Sequence, residues 1–227
     1  MSKIYNDDTF VMSQPFTVSG ASNTSDWMQE QNVAAKAAQY GLIPDVLKGA
    51  DWTKPITRAE FAAVAVKLYE NLVDKQATPA SPNPFTDTND PEVLKAVSLG
   101  VTNGTSATLF SPKDLISREQ MATMLTRALK SAYIPGWTLP TDGNFTINFT
   151  QPEKFADDDK ISAYAKPSVY FMAANKIING VGNNMFAPQN TTPAETAINY
   201  ANATREQSLA IAVRIVENLK GKALDIS

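Results

Sequence analysis

The chain has 227 residues, 43% of them apolar and 19% charged, with a net charge of −3. That composition describes a folded globular protein and gives no global reason to bind nucleic acid. Histidine and cysteine are both absent, which excludes Ser-His-Asp and Cys-His catalysis, histidine-ligated zinc, disulfides and thiol redox chemistry together. No apolar run approaches the roughly 18–20 residues that span a bilayer, so membrane insertion is not expected.

In chain order, residues 1–25 are polar, carry Asp7 and Asp8, and lack the basic flank and apolar core of a signal peptide. We expect them to form an N-terminal extension, and the protein to be either cytosolic or a mature or truncated form. A first helix is expected over Trp27–Tyr40, stopped by Gly41-Leu42-Ile43-Pro44. The segment Ile56–Ala62, ITRAEFA, starts a second helix. After a Pro/Ala-rich linker (74–84) come Phe85-Thr86-Asp87 and a helix over Pro91–Leu99 that ends at Gly100. Asn103-Gly104 marks a turn, Phe110-Ser111-Pro112 a loop, and Ile116–Ala122, ISREQMA, the next helix start. A second linker (133–152) contains Asp142-Gly143 followed by alternating Phe145, Ile147 and Phe149, the pattern of a short β-hairpin. Then Phe155-Ala156-Asp157, a helix over Ser162–Asn175, Asn179-Gly180, Phe186-Ala187-Pro188 and finally Ala203–Leu209, ATREQSL, repeat the order. Where glycine should supply the left-handed residue after the helix, the third copy has Lys176.

These segments make three repeats: 26–73, 85–132 and 153–222, with a tail at 223–227. Phe110 precedes Arg118 by 8 residues but Phe186 precedes Arg205 by 19, so the third repeat carries an 11-residue insertion within 190–202. The first repeat lacks the Phe-x-Asp opening and has Trp52 and Pro55 in place of Phe-x-Pro. Counting from each motif arginine, positions +4, +6, +7, +10 and +11 are apolar in every copy, a stripe wide enough for a helix buried on more than one side. The fold expected is all-α: three helix-loop-helix repeats packed as a pseudo-threefold body around a central helix bundle, since no unit of about 50 residues buries much alone.

Each motif reads as a capping box, with Thr57, Ser117 or Thr204 as cap and Glu60, Gln120 or Gln207 reaching back. That accounts for every polar residue except the arginine. Arg58, Arg118 and Arg205 stand at the first helical position, where the macrodipole disfavours a cation by up to about 1 kcal/mol. The other two of the five arginines, Arg127 and Arg214, share one offset, nine residues after a motif arginine, where the first repeat has Lys67. Two readings are open. A guanidinium fork suits a carboxylate bidentately, and backbone N–H groups at a helix start favour the same anion. Alternatively the arginines make structural ion pairs, with Glu60, Glu119 or Glu206 as partners.

The layout Phe-x-Asp, helix, Gly-(Ile/Val)-x-x-Gly, Phe-x-Pro, Ile-Thr-Arg-Glu-x-(Met/Phe)-Ala, three times over, resembles the S-layer homology domain of bacterial cell-surface proteins. The resemblance covers about 26–222. It implies a body whose inter-repeat grooves bind secondary cell-wall polysaccharide, often bearing acidic pyruvyl ketals, with Arg58, Arg118 and Arg205 as groove residues. It also implies an exported, surface-anchored parent protein of which this chain is a part. The acid stands one place earlier in Ser117-Arg118-Glu119-Gln120 and Thr204-Arg205-Glu206-Gln207 than in Thr57-Arg58-Ala59-Glu60. With the insertion, this bears on how many of the three grooves work.

Sugar sites favour flat apolar faces, so Trp27, Trp52, Trp137 and Tyr164 are candidate lining residues, Trp52 first among them because it stands in a loop beside the motif. Glu60, Asp87 and Asp157 complete the candidate set. The runs Asp87-Thr88-Asn89-Asp90 and Asp157-Asp158-Asp159 do not fit the EF-hand spacing and read as helix-start acids and caps rather than calcium ligands. No metal or cofactor is expected. No motif carries a catalytic mechanism, so the expectation is a non-catalytic binding module.

Overall fold

The computed structural model describes residues 21–227. The greater part of the expected 1–25 extension therefore lies outside the described residues. The described chain is mainly helical, with eight α-helices: α1 (Asp26–Glu30), α2 (Val33–Gln39), α3 (Arg58–Val73), α4 (Pro91–Ser98), α5 (Arg118–Tyr133), α6 (Lys166–Ala174), α7 (Pro193–Ala197) and α8 (Arg205–Leu219). A parallel two-stranded ribbon joins β1 (Ala21–Asn23) to β2 (Ala50–Asp51).

The three long helices are those that start at the motif arginines. Their expected stripes are buried: Ala62, Val64, Ala65 and Leu68 on α3, Ala122, Met124, Leu125, Ala128 and Leu129 on α5, and Leu209, Ile211, Ala212, Ile215 and Val216 on α8. Helix α3 packs against both α5 and α8. The shorter helices show how the repeats depend on one another. Helix α3 of the first repeat packs on α4 of the second, α5 of the second on α6 of the third, and α8 of the third on α2 of the first. Each repeat's long helix thus covers the next repeat's short one, which is why a single unit has no core of its own.

The same cyclic order recurs at the helix starts. Isolated antiparallel bridges link Thr57 to Leu115, Ser117 to Asn202, and Pro55 to Thr204. The insertion leaves this ring intact. In the other two copies the carbonyls that receive the helix start are two residues apart (Pro112 and Asp114, Trp52 and Lys54), whereas in the third they are Pro188 and Ala201. The extra residues loop out between them, carry α7, and are closed at the base by Asn190, which accepts from Ala201 N–H at 2.8 Å and donates to Asn202 Oδ1 at 2.8 Å.

Two expectations need correction. The helix expected over Trp27–Tyr40 is broken into α1 and α2 at Asn32, whose φ of +52° lies in the left-handed region that Asn tolerates better than most residues. The break lets Met28 of α1 and Val33, Ala34 and Ala37 of α2 all be buried. The hairpin expected in the second linker does not form either. Asp142 is held instead by Lys130 Nζ at 2.6 Å and Trp137 Nε1 at 2.8 Å, so Asp142-Gly143 belongs to a 3-10 turn over Leu139–Asn144. Ile147 pairs antiparallel with Ile226 of the tail, and Thr146 and Ser227 exchange both backbone hydrogen bonds at 2.9 Å. The alternating pattern was right for an extended strand; its partner is distant in sequence. At Lys176 the backbone does take the left-handed conformation (φ +57°) that Gly41 and Gly100 adopt at the equivalent helix ends.

Candidate inter-repeat grooves

All three capping boxes form: the cap side chain accepts from the third backbone N–H, and the third side chain returns to the cap's own N–H. The two preceding N–H groups of each long helix go to the next repeat. Arg58 and Ala59 donate to Asp114 and Pro112, Arg118 and Glu119 to Ala201 and Pro188, and Arg205 and Glu206 to Lys54 and Trp52, all at 2.8–3.1 Å. This corrects one sequence-based expectation. The helix-start amides are consumed in joining repeats, so an anion here would have to be held by side chains.

Arg58 and Arg118 are placed alike. Arg58 lies 8% exposed and donates through Nε to Phe110 O at 3.1 Å and through Nη2 to Asn103 O at 3.2 Å. Arg118, 7% exposed, donates to Phe186 O at 2.9 Å and to Asn179 O at 2.7 Å. Their guanidinium carbons lie 4.9 and 5.2 Å from the ring centroids of Phe110 and Phe186, within the range of a cation–π contact. A guanidinium has five N–H groups, so each keeps donors uncommitted. Among the described residues neither has a carboxylate partner within 4.0 Å. Burial pushes both below the ordinary arginine range, Arg118 to about 10, with Asp157 the main opposing influence there. Both remain cations at neutral pH.

The receiving carbonyls are themselves held. The carboxylate of Asp87 accepts from Phe110 and Ser111 N–H at 2.9 and 2.8 Å, and that of Asp157 accepts from Phe186 and Ala187 N–H, both at 2.8 Å. These bonds, led by the one from Phe110, hold Asp87 below the usual carboxylate range. Asp87 and Asp157 therefore position the loop under the arginine, and both oxygens of each are already in use. Gly104 and Gly180 allow the loops to double back: a Cβ at either would sit 2.4 Å from a carbonyl oxygen, Leu109 O or Met185 O, closer than any real contact permits. So the Phe-x-Asp, Asn-Gly and Phe-x-Pro signals of one repeat build a receptor for the arginine of the preceding repeat.

Arg205 differs. It meets Glu60 side-on, Nε to Oε2 at 3.1 Å and Nη2 to Oε1 at 2.7 Å, while Nη1 donates to Asp51 O at 2.9 Å. The ion-pair reading is thus correct for this arginine, with a partner in another repeat. Trp52, expected as the leading groove aromatic, is fully buried and donates from Nε1 to Leu47 O at 2.9 Å. It fills the core space that Phe110 and Phe186 occupy elsewhere and faces no groove.

Sequence reasoning offered Glu119 and Glu206 as arginine partners; they have another task. Glu119 is 2% exposed and accepts from Ser162 N–H at 2.9 Å, Ser162 Oγ at 2.8 Å and the Tyr164 hydroxyl at 3.3 Å. Glu206, 3% exposed, accepts from Ser25 N–H at 2.9 Å, Ser25 Oγ at 2.6 Å and Trp27 Nε1 at 3.2 Å. Each ties down the next repeat's short helical segment. In the first repeat the position is Ala59, and α4 is capped by its own Asp90, which accepts from Glu92 N–H at 2.9 Å. The shifted acid of the motif is explained by this inter-repeat bond.

The bond from Trp27 also brings its indole to the edge of a cavity of about 240 Å³ that includes Arg118, Arg214, Asn179, Gly180 and Gln207. Arg214 donates through Nη1 to Ile177 O at 3.2 Å. Two guanidiniums and an indole face one groove whose lining contains no carboxylate. Tyr164, 55% exposed, stands toward Arg58 and Arg127 as Trp27 does toward Arg118 and Arg214; burial and the Glu119 carboxylate push its hydroxyl up to about 12. The offset of nine residues seen in the sequence is two and a half helical turns, which sends the two arginines of one helix to opposite sides. Arg118 therefore meets Arg214 of another repeat, and no sequence distance could have paired them. Trp137, the remaining aromatic candidate, is buried against Asp142.

The profile of the S-layer homology domain matches residues 84–122 and 154–192, the second match reaching into the insertion. Over 150 residues, 63% of this chain, the sequence is 31% identical to an amylopullulanase of Thermoanaerobacterium thermosulfurigenes. Over 151 residues, 64% of the chain, it is 32% identical to the exoglucanase XynX of Acetivibrio thermocellus. These matches span only 7% and 12% of the relatives' lengths.

Proposed function

We propose that this chain, a member of the S-layer homology family through residues 84–122 and 154–192, is a non-catalytic module that anchors a larger bacterial surface protein by binding acidic secondary cell-wall polysaccharide. The observation that carries this reading is the groove in which Arg118 and Arg214 flank Trp27 with no lining carboxylate. A guanidinium fork offers parallel donors to the carboxylate of a pyruvyl ketal, and the indole offers a flat face to the sugar ring. The groove at Arg58, with Tyr164 and Gln120, repeats the arrangement. The groove at Arg205 is occupied by the bidentate bond to Glu60, so two working grooves are proposed instead of three.

The pseudo-threefold body is part of the same proposal, supported by the cyclic bridges Thr57–Leu115, Ser117–Asn202 and Pro55–Thr204. That the relatives are named as enzymes does not carry over, because the matched share of each is small. A scaffold reading, with arginines as internal ion pairs, is favoured at Arg205 alone.

The test is co-sedimentation of the purified chain with Gram-positive wall sacculi, before and after acid extraction of the secondary polysaccharide. Binding should vanish on extraction and in the Arg58→Ala/Arg118→Ala variant, and survive in Arg205→Ala. Equal sedimentation with extracted walls, or loss in Arg205→Ala alone, would overturn the reading.

A further inference from the structure

Arg127 is absorbed by none of this. Of the three equivalent positions, Lys67 pairs with Glu70 at 3.2 Å and Arg214 donates to Ile177 O at 3.2 Å. Among the described residues Arg127 makes no hydrogen bond or ion pair, and its Nε is fully enclosed without a partner. A buried polar N–H left unbonded costs about 1–3 kcal/mol, so an unbonded guanidinium aimed into a cavity is poised for a ligand.

The cavity measures about 680 Å³, within the range of small-molecule sites. The second linker roofs it. The extended segment around Ile147, pinned by the tail through Thr146, Asn148, Asp225 and Ser227, lies over α5 and α6. Phe145, Phe149 and Phe171 supply apolar walls, with Phe149 and Phe171 in edge contact at 5.9 Å between ring centroids. Four cations line it against two carboxylates: Lys130 is neutralised by Asp142 at 2.6 Å and Lys166 by Asp158 at 2.8 Å, leaving Arg127 and Lys154 in excess. In a chain of net charge −3, this is a local preference for anions. Arg58 is not among its walls, and Tyr164 stands at the boundary.

We propose that this pocket is a second binding site, separate from the motif-arginine grooves, for an organic acid of about disaccharide size carrying a carboxylate or phosphate on a body with a flat apolar face. Arg127 holds the acid through its fork and the phenylalanines receive the apolar face. The linker is what creates the site, since it gives Arg127 an enclosed environment that Arg214 does not share.

The test uses a matched pair of fluorescent probes, methylumbelliferyl glucuronide and methylumbelliferyl glucoside, which share the flat ring and differ in the carboxylate. Methylumbelliferyl phosphate forms a third arm that separates carboxylate from phosphate preference. Fluorescence polarisation on the full chain should show the glucuronide or the phosphate binding at least about tenfold more tightly than the glucoside, the equivalent of one charge-assisted contact. The five arginines give five side-chain Nε–Hε signals in a nitrogen-15 spectrum, and the signal of Arg127 should move on titration while those of Arg58 and Arg118 stay. Arg127→Gln should lose that preference and Arg118→Ala should keep it. If Arg127→Gln does not fold, Arg127→Lys, which keeps the charge and loses the fork, should weaken binding without abolishing it. Equal affinity for acidic and neutral probes, or movement at Arg58 or Arg118 with Arg127 stationary, would overturn the proposal. Because the probes are monomeric and read at Arg127, this result is independent of sedimentation with walls.

Discussion

Arg118 and Arg205 hold the same place in the same motif, follow the same cap type, and enter helices of nearly equal length, yet they finish in opposite electrostatic states. Arg118 rests on two carbonyl oxygens, keeps its charge uncompensated and lines an open groove with Arg214 and Trp27. Arg205 is neutralised by Glu60 in a bidentate bond. The difference originates in the repeat that receives each arginine. The third repeat offers Phe186 O and Asn179 O, held by Asp157 and Gly180. The first repeat has neither the Phe-x-Asp opening nor the Asn-Gly turn, and it offers Glu60, the one acid at the third position of a capping box. A ligand residue in one groove is therefore a structural residue in another because of the neighbour it meets.

The comparison can be broken most directly at Arg118. Arg118→Ala removes charge-assisted donors worth about 1.5–3 kcal/mol, so affinity for wall polysaccharide at that groove should fall by about 10–100-fold. Sedimentation with sacculi, or titration with purified polysaccharide, reads this directly. Arg205→Ala should instead act on stability. It leaves Glu60 partly buried and unpaired, and since the pair is 17% and 12% exposed, the loss should be roughly 2–3 kcal/mol, below the 3–5 of a fully buried pair. Urea unfolding measures it, and unchanged wall binding in the same variant would sharpen the contrast.

Smaller effects follow for the residues that set the frame. Glu206→Gln presents an amide donor to Ser25 and Trp27, and should cost about 1–2 kcal/mol. It should also loosen the Trp27 indole, which tryptophan fluorescence would report. At Ala59, where no such bond exists, Ala59→Gln should change stability by less than about 0.5 kcal/mol. The smallest effect is acid-dependent. Asp87 is held below the ordinary carboxylate range by the Phe110 and Ser111 N–H groups. Its contribution is thus full above the unfolded pKa of about 3.9 and is lost as pH falls through the lower folded value. Asp87→Asn should flatten the decline in stability below pH ~4, with little change near neutrality in its slope against pH.

The chain's own order revealed the helix starts, because a capping box is a contact between residues three apart, and all three formed as read. The apolar stripes were legible for the same reason, as was the insertion, whose ends return to the spacing set by the other two repeats. Trp52 was misjudged because a tryptophan beside a motif looks the same whether its indole faces solvent or core. Here the first repeat's missing phenylalanine left a core space that Trp52 fills. Glu119 and Glu206 were noticed only as a departure from the first repeat's pattern. Their partners, Ser162 and Ser25, are 43 and 181 residues away, and no local rule connects them.

What the sequence determined by itself was periodicity: three copies, their caps, their striped helices, and arginines placed by the repeat instead of by helix propensity. Local hydrogen bonding and the 3.6-residue helical period act over a few residues, so they are written in consecutive letters. Only the tertiary structure decided which repeat receives each arginine, which groove is closed by Glu60, and which aromatic faces a groove. Each long helix packs on the short helix of the next repeat, so every groove is assembled from residues of different copies, and its charge depends on pairings across the fold.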